Sequence, residues 1–317
     1  MGTIILTGAN GSLGLCAAKI LLESCPDLTL VLTVRATSST DANTSNLRAI
    51  VAKYPERQVQ IHELDLSSLA KVKEFTDQIT ASIDAGQLPR IKAIICAAMY
   101  WNLIQPAELT ADGYDRTIQV GHIAHAALIL RLIRHFAPKD GRIVLMSSVN
   151  HIPGKSPMEK IPPNIPENID AMVHPKPSED HAGQGMEIYS NSKLLVTTWG
   201  HALNGFLEQD ADLSSITAVM IDPGTLCDSR AFVTNTPRNI ANLQRFILRP
   251  LRFFMSAMRT SATAATDVVD FATNKAHPGE RGYFTLLEKT ESSPQSMDKE
   301  VQQRVWSQTA AWANIDL

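Results

Sequence analysis

Apolar residues along this chain fall into short dense runs at 3–7, 28–34, 58–62, 91–98, 141–146 and 215–221, each followed by a longer stretch with helical spacing, as in LCAAKILLE after Gly14. Dense runs of this length read as strands covered on both faces, and the intervening segments are long enough for crossover helices. The alternation predicts an α/β fold with a doubly wound parallel sheet. Ligands of such sheets lie beyond the carboxyl ends of the strands. Four of those ends carry unusual residues: the turn TGANGSLG at 7–14, Cys96-Ala97-Ala98, Ser147-Ser148 and Asp222-Pro223-Gly224. They are expected to converge on one crevice.

Two segments break the rhythm. From Asn150 to Glu187 the chain carries seven prolines and few periodic apolar residues, which predicts an insertion over the site (150–187). The second runs from Thr225 to about Arg259 and contains RFILRPLRFFMSAM, in which Phe246, Ile247, Leu251, Phe253, Phe254 and Met255 alternate with Arg245, Arg249 and Arg252. It is expected to close a substrate pocket with its apolar side while the arginines face water; lying on a membrane surface is the alternative.

The length of 317 residues, with 44% hydrophobic and 19% charged, suffices for one complete core, so a single domain over 1–317 is expected, with the insertion at 150–187 and a substrate lid at 225–259. A net charge of −3 gives no footprint for a nucleic acid partner. The first strand begins at residue 3 and no run approaches the roughly 18 apolar residues of a membrane span, so a soluble, cytoplasmic protein is expected. Cys16, Cys25, Cys96 and Cys227 are too scattered for a disulfide framework or a metal site and are read as reduced thiols.

The chemistry centres on YSNSK. Tyr189 and Lys193, at i and i+4, project from one helix face, and an ammonium beside a phenol is expected to lower its proton affinity and make it a usable proton donor. At the other end of the chain, strand, glycine turn and helix follow in the order that binds a dinucleotide. Gly8 permits the tight turn, Gly11 lets the backbone approach a pyrophosphate, and Gly14 allows the helix to pack closely, with its N-terminus toward the phosphates.

With TGANGSLG, LDL at 64–66, RIVLMSS at 142–148, YSNSK at 189–193 and DPG at 222–224, the chain resembles the short-chain dehydrogenase/reductase family over residues 3 to about 225. YSNSKLL, CAAMY and the long segment before the tyrosine are most similar to the branch with retinol dehydrogenases, protochlorophyllide reductase and the WW-domain oxidoreductase. The resemblance implies a Rossmann-type fold and assigns roles. Tyr189 would exchange a proton with the substrate oxygen, Lys193 would lower its pKa and hold the nicotinamide ribose, and Ser148 would polarise the substrate oxygen while Ser147 points into the fold. Gly8, Asn10, Gly11, Ser12, Leu13 and Gly14 would cradle the diphosphate. Asp65 and Leu66 would meet the adenine, Ala97 and Ala98 would let the nucleotide pass, and Pro223, Gly224 and Thr225 would flank the nicotinamide. The cofactor is expected to be NADP (NADPH): a 2′-phosphate needs a cation, and Arg35 stands at the end of the second strand where NAD-binding members carry a carboxylate. Asp41 would substitute only if its loop folded back.

Three departures from the family pattern stand out. Gly121, in VGHIAH, occupies the position of the fourth catalytic residue, an asparagine; Met99 replaces a glycine after Ala97-Ala98; and Ser12 stands where the middle glycine usually falls, with its hydroxyl free to turn toward a phosphate. His122 and His125 lack a third metal ligand. The leading expectation is an NADPH-dependent carbonyl reductase acting on a lipophilic ketone or aldehyde of specialised metabolism, its pocket walled by the insertion, Met99-Tyr100-Trp101 and the lid. Reduction of a conjugated C=C or C=N bond, and a non-catalytic NADP-binding protein, are the alternatives. Both a monomer and a homodimer are open, since relatives pair through helices matching about 113–137 and 188–208.

Overall fold

A computed structural model of the chain describes residues 2–38, 40–243 and 258–316. The strands are β1 (Gly2–Thr7), β2 (Leu28–Val34), β3 (Val59–Glu63), β4 (Ile91–Cys96), β5 (Gly141–Met146), β6 (Ile216–Asp222), β7 (Thr225–Leu226), β8 (Met258–Arg259), β9 (Gly282–Thr285) and β10 (Glu288–Lys289). Eight of them form one sheet in the order β10-β9-β6-β5-β4-β1-β2-β3 among the described residues, parallel except for the terminal β9–β10 pair. The six sequence-predicted strands are all present within one or two residues of their expected ends. The β9–β10 edge, whose segments are short and mixed in polarity, was not among them.

The chain winds outward from β1 to β3 and then returns to the other side of β1 for β4, so the switch in winding direction lies between β1 and β4. That is where an open α/β sheet leaves a crevice at its carboxyl edge. Alternate strand residues feed two cores: Ile5, Ile94, Ile143 and Leu145 face α3 (Leu69–Asp84), α5 (Ala124–Leu132) and α6 (His181–Gln209), with α4 (Arg116–Ile118) just ahead of α5. Ile4, Leu6, Ile95 and Val144 face α1 (Ser12–Ser24) and α7 (Ser261–Ala272). α2 (Ala42–Val51) packs beside α1. With both faces covered, continuous apolar strands are what burial requires.

The segment 150–187 departs from expectation. Its last seven residues already belong to α6, which starts at His181 behind an Asp180 cap. Ile165, Ile169, Met172 and Val173 join the main core, and the Trp312 indole donates to Asp170 at 2.8 Å. Most of the segment therefore braces the C-terminal helix α8 (Lys299–Trp312) instead of roofing the crevice; only Met158 and Met186 reach the cluster that holds Tyr189. The arginine-rich run at 245–257 lies outside the described residues. The flanking β7 and β8 pair with each other.

Candidate active site

Polar pins set the position of α6 on the sheet. Asn204 both donates to the carbonyl and accepts from the amide of Ala218 in β6, at 2.9 Å each. Thr197 donates its hydroxyl to the Lys193 carbonyl at 2.9 Å and so accepts from Ser147 at 2.6 Å. Ser147 thus points into the fold, as expected, and its neighbour Ser148 is left at the strand end facing the crevice. The Lys193 ammonium donates to the Met146 carbonyl at 2.7 Å, one more tie between α6 and the end of β5. These bonds are buried, where a missing partner costs about 1–3 kcal/mol, so a shift of α6 is resisted.

The pins bring Ser148, Tyr189 and Lys193 together. Lys193 Nζ lies 5.5 Å from the Tyr189 ring centre. The electrostatics correct the sequence expectation that the ammonium would dominate. Burial pushes the Tyr189 phenol up to about 12; a hydrogen bond with Ser148 opposes the rise, and the Asp222 carboxylate adds to it. Burial holds Lys193 down to about 8, with Asp222 working the other way. The tyrosine is therefore a neutral phenol across the physiological range, the form that can give up a proton. Asp222, 4% exposed, is itself pushed up to about 6 by burial, against the Gly224 and Val149 amides and the charges of Lys193 and Arg259. In the sequence Asp222 is marked only as a lone carboxylate closing the mostly apolar run ITAVMI at a strand end.

At the switch point, Gly8 has φ +64°, and a Cβ there would lie 2.9 Å from the Ala98 Cα; a Cβ on Gly14 would lie 2.2 Å from the Gly8 carbonyl oxygen. These close approaches hold the turn against the Ala97-Ala98 strand end and seat α1 on it. No side chain caps the N-terminus of α1, whose cap residue is Gly11. An uncapped helix start behind a tight turn presents backbone N–H groups suited to a phosphate. With the small Ala97 and Ala98 alongside and an ammonium at Lys193 that keeps two N–H groups beyond the Met146 bond, the donor set fits a dinucleotide. Ser12 accepts from the Arg230 amide at 3.1 Å, and the Arg230 guanidinium donates to the Asn10 carbonyl.

Arg35 is exposed at the end of β2. Asp41 spends its carboxylate on the Thr44 amide at 2.7 Å, capping α2, a bond that holds its pKa below the usual carboxylate range. Glu63 is occupied by Thr37 through bonds of 3.0 and 2.8 Å. Asp65 accepts from the amide and hydroxyl of Ser67 at the start of the β3–α3 connection, with Leu66 buried beside it. Pro223, Gly224 and Thr225 follow β6 directly at the same edge, and Gly224 donates to Asp222 at 3.1 Å.

Above Tyr189 sits Trp101, edge-on at 5.6 Å between ring centres, with Phe232 edge-on to Trp101 at 5.7 Å. The Trp101 indole donates to the Ala231 carbonyl at 2.9 Å, and the Leu103 amide to the Asn235 carbonyl at 2.8 Å, which straps 231–235 across the crevice mouth. Leu103, Met158, Met186 and Ile240 complete this apolar cluster, while Met99 turns outward at 41% exposure.

The helix that carries Gly121 contains a π turn over Gln119–Ile123, between α4 and α5. A Cβ on Gly121 would meet Ser192 Oγ at 2.7 Å, so glycine permits a close approach to α6. Gly121, His122, His125, Met146 and Trp199 help line a cavity of about 10 Å3, the lower limit for one water molecule. His122 pairs with Thr309 at 2.8 Å and His125 with Thr7 at 2.9 Å. Burial pushes the two histidines down to about 3 and about 4, so both are neutral side chains of the core.

Comparison with known proteins agrees with this architecture. Residues 2–157 match the KR domain family and residues 230–316 the AcuH dehydrogenase domain. The chain is 28% identical to the short-chain dehydrogenase iccH of Talaromyces variabilis across 99% of its own length and 96% of the relative's. It is 39% identical to the dehydrogenase acuH of Aspergillus aculeatus, over 26% of this chain and 87% of that one. A crystal structure of an uncharacterised protein from Mycobacterium paratuberculosis superposes with a TM-score of 0.66 at 22% identity, covering 100% of this chain and 94% of that chain.

Proposed function

Since this chain belongs to the short-chain dehydrogenase/reductase family and is an oxidoreductase with a nicotinamide cofactor, we propose that it uses NADPH to reduce a lipophilic ketone or aldehyde of specialised metabolism, as one domain in the cytoplasm. The observation that carries this reading is the meeting of Ser148, Tyr189 and Lys193 beneath the apolar cluster of Trp101, Phe232 and Met186. A bound nicotinamide supplies the hydride. Ser148 donates a hydrogen bond to the substrate oxygen, where negative charge develops, and Tyr189, held neutral by its surroundings, delivers the proton to that oxygen. Lys193, anchored by the Met146 carbonyl, has N–H groups left for the ribose hydroxyls. The apolar walls favour a substrate without charge near the reacting carbon.

NADPH over NADH is supported by the exposed Arg35 and by the engagement of the nearby acids: Asp41 caps a helix and Glu63 holds Thr37. A monomer is supported by α8, which lies on α6 with Trp306 stacked on Trp199 at 5.9 Å and Thr309 bonded to His122, and so covers helices through which relatives pair. Light scattering on the purified protein tests that point; a dimer would overturn it.

The experiment is a titration with NADPH and NADH followed by nicotinamide fluorescence, then oxidation of NADPH with lipophilic ketones, aldehydes and enones. Expected are NADPH binding at least tenfold tighter than NADH and turnover of a carbonyl to an alcohol. Preference for NADH refutes the cofactor reading, and saturation of a C=C bond in place of C=O refutes the reaction. Tyr189→Phe is expected to lower turnover by at least about a hundredfold while NADPH affinity changes less than threefold; retained turnover would remove Tyr189 as the acid.

A further inference from the structure

Ser148 is useful only if its hydroxyl stands still. The residue lies two positions beyond the end of β5 at Met146, past the last backbone bond to β6 from the Ser147 amide, and its hydroxyl accepts from the Asn150 amide at 3.3 Å to cap a single 3-10 turn, Val149–His151, too short to hold itself. The long proline-rich segment comes directly after that turn and adds no ladder of its own. Rigidity at Ser148 must therefore come from tertiary contacts.

His151 makes them. Its side chain is fully buried, and its ring packs edge-on against Tyr283 in β9 at 4.7 Å between centres. Nε2 receives a hydrogen bond from the Ser293 amide at 3.1 Å. An amide N–H can only donate, so Nε2 carries no proton; Nδ1 then bears the hydrogen and donates it to the Ser148 carbonyl at 2.6 Å. One neutral imidazole spans from the C-terminal region to the backbone of the residue that faces the substrate. On the other side of the same turn the Val149 amide is held by the Asp222 carboxylate. Burial pushes His151 down to about 4. His201, a titratable neighbour, is bonded to Ser292 at 2.9 Å and likewise pushed down to about 4, so the tautomer persists at working pH.

We propose that His151 is the positioning residue for Ser148: by bridging the Ser148 carbonyl and the Ser293 amide it aims the serine hydroxyl at the substrate oxygen. Fully buried against Tyr283, it acts through Ser148, and it makes turnover depend on a contact contributed from residue 293. This inference rests on the reductase reading above.

The test is a double-mutant cycle with the full chain. His151→Phe keeps the ring and removes both bonds; His151→Asn keeps a donor near the Nδ1 position. Expected for His151→Phe is a fall in kcat of tenfold or more with NADPH affinity unchanged within twofold, and partial recovery in His151→Asn. In a Ser148→Ala background the same His151→Phe change should cost less than twofold, because there is no hydroxyl left to aim. Equal losses in both backgrounds would mean a general structural role and overturn the proposal, as would a loss confined to NADPH affinity. If His151→Phe does not fold, the cycle is run with His151→Asn, read by the same criterion at a threefold or larger loss. Wild-type turnover is measured first: its absence for every carbonyl overturns the reductase reading and this inference with it, whereas turnover with uncoupled losses overturns the inference alone.

Discussion

Gly121→Ala puts the fit between α6 and the π turn to a quantitative test. The new methyl carbon would lie 2.7 Å from Ser192 Oγ, several tenths of an ångström inside ordinary contact, and Ser192 is buried at 1% exposure. Two effects oppose each other. Alanine is the better helix former by about 0.8–1.0 kcal/mol, whereas forcing a methyl into a packed interface costs about 1–3 kcal/mol. The single change should therefore lower stability by roughly 0–2 kcal/mol. Ser192→Ala removes the opposing oxygen, so in that background Gly121→Ala should be stabilising by about 1 kcal/mol, a coupling of about 1–3 kcal/mol between the two sites. Urea unfolding of the wild type, both single variants and the double variant measures it. Effects that add within about 0.5 kcal/mol would refute the claim that these helices are pressed together at this point.

Other consequences come from the same packing. The Arg142 guanidinium is fully buried and donates to the carbonyls of Phe271, Ala276, His277 and Glu280 and to the Thr217 hydroxyl. Arg142→Met leaves those carbonyls without their donor and should cost about 3–5 kcal/mol in urea unfolding; a loss under 1 kcal/mol would show the cluster to be slack. Acid stability has a defined sign. His122, His125, His151 and His201 have folded pKa values lowered from 6.5, to about 3 for the first and about 4 for the others, so their contribution is complete above 6.5 and lost as pH falls through those values. Asp115 and Asp222, raised to about 6, act in the opposite sense, stabilising most below 3.8 and losing that contribution as pH rises through 6. Near pH 5 these six groups together take up about two protons on unfolding, or roughly 3 kcal/mol lost per unit fall in pH, and stability that rises on acidification would contradict it. Trp101→Ala should lower stability by about 3–5 kcal/mol and admit bulkier ketones, seen as a lower KM for the larger members of a homologous series; an unchanged size preference would remove Trp101 from the pocket wall.

The candidate site is partly legible in the sequence, and the reasons lie in particular residues. YSNSK and the serine pair are readable because their spacing is local: four residues place two side chains on one helix face, and Ser147 and Ser148 must point opposite ways at a strand end. His151 is not, since its two partners are Ser148 and Ser293, and nothing in SSVNH announces the second. The segment 150–187 is misplaced by its sequence for the same kind of reason. Its prolines mark it as irregular, yet whether it roofs the crevice or braces α8 depends on where Ile165, Ile169 and Val173 find apolar partners.

By itself the sequence determined the winding of the sheet, because dense apolar runs alternating with helical spacing can bury both strand faces in few other ways, and a glycine turn after the first run marks the carboxyl edge. It also determined which side chains have acid, base or donor chemistry. Only the tertiary structure decided how that chemistry is tuned. Burial raises the Tyr189 phenol against the pull of Ser148, Asp222 enters the site from β6, and Asp41 is drawn off to a helix cap. Proton affinity depends on the desolvation and charges that surround a group in space, and those are supplied by residues far away along the chain.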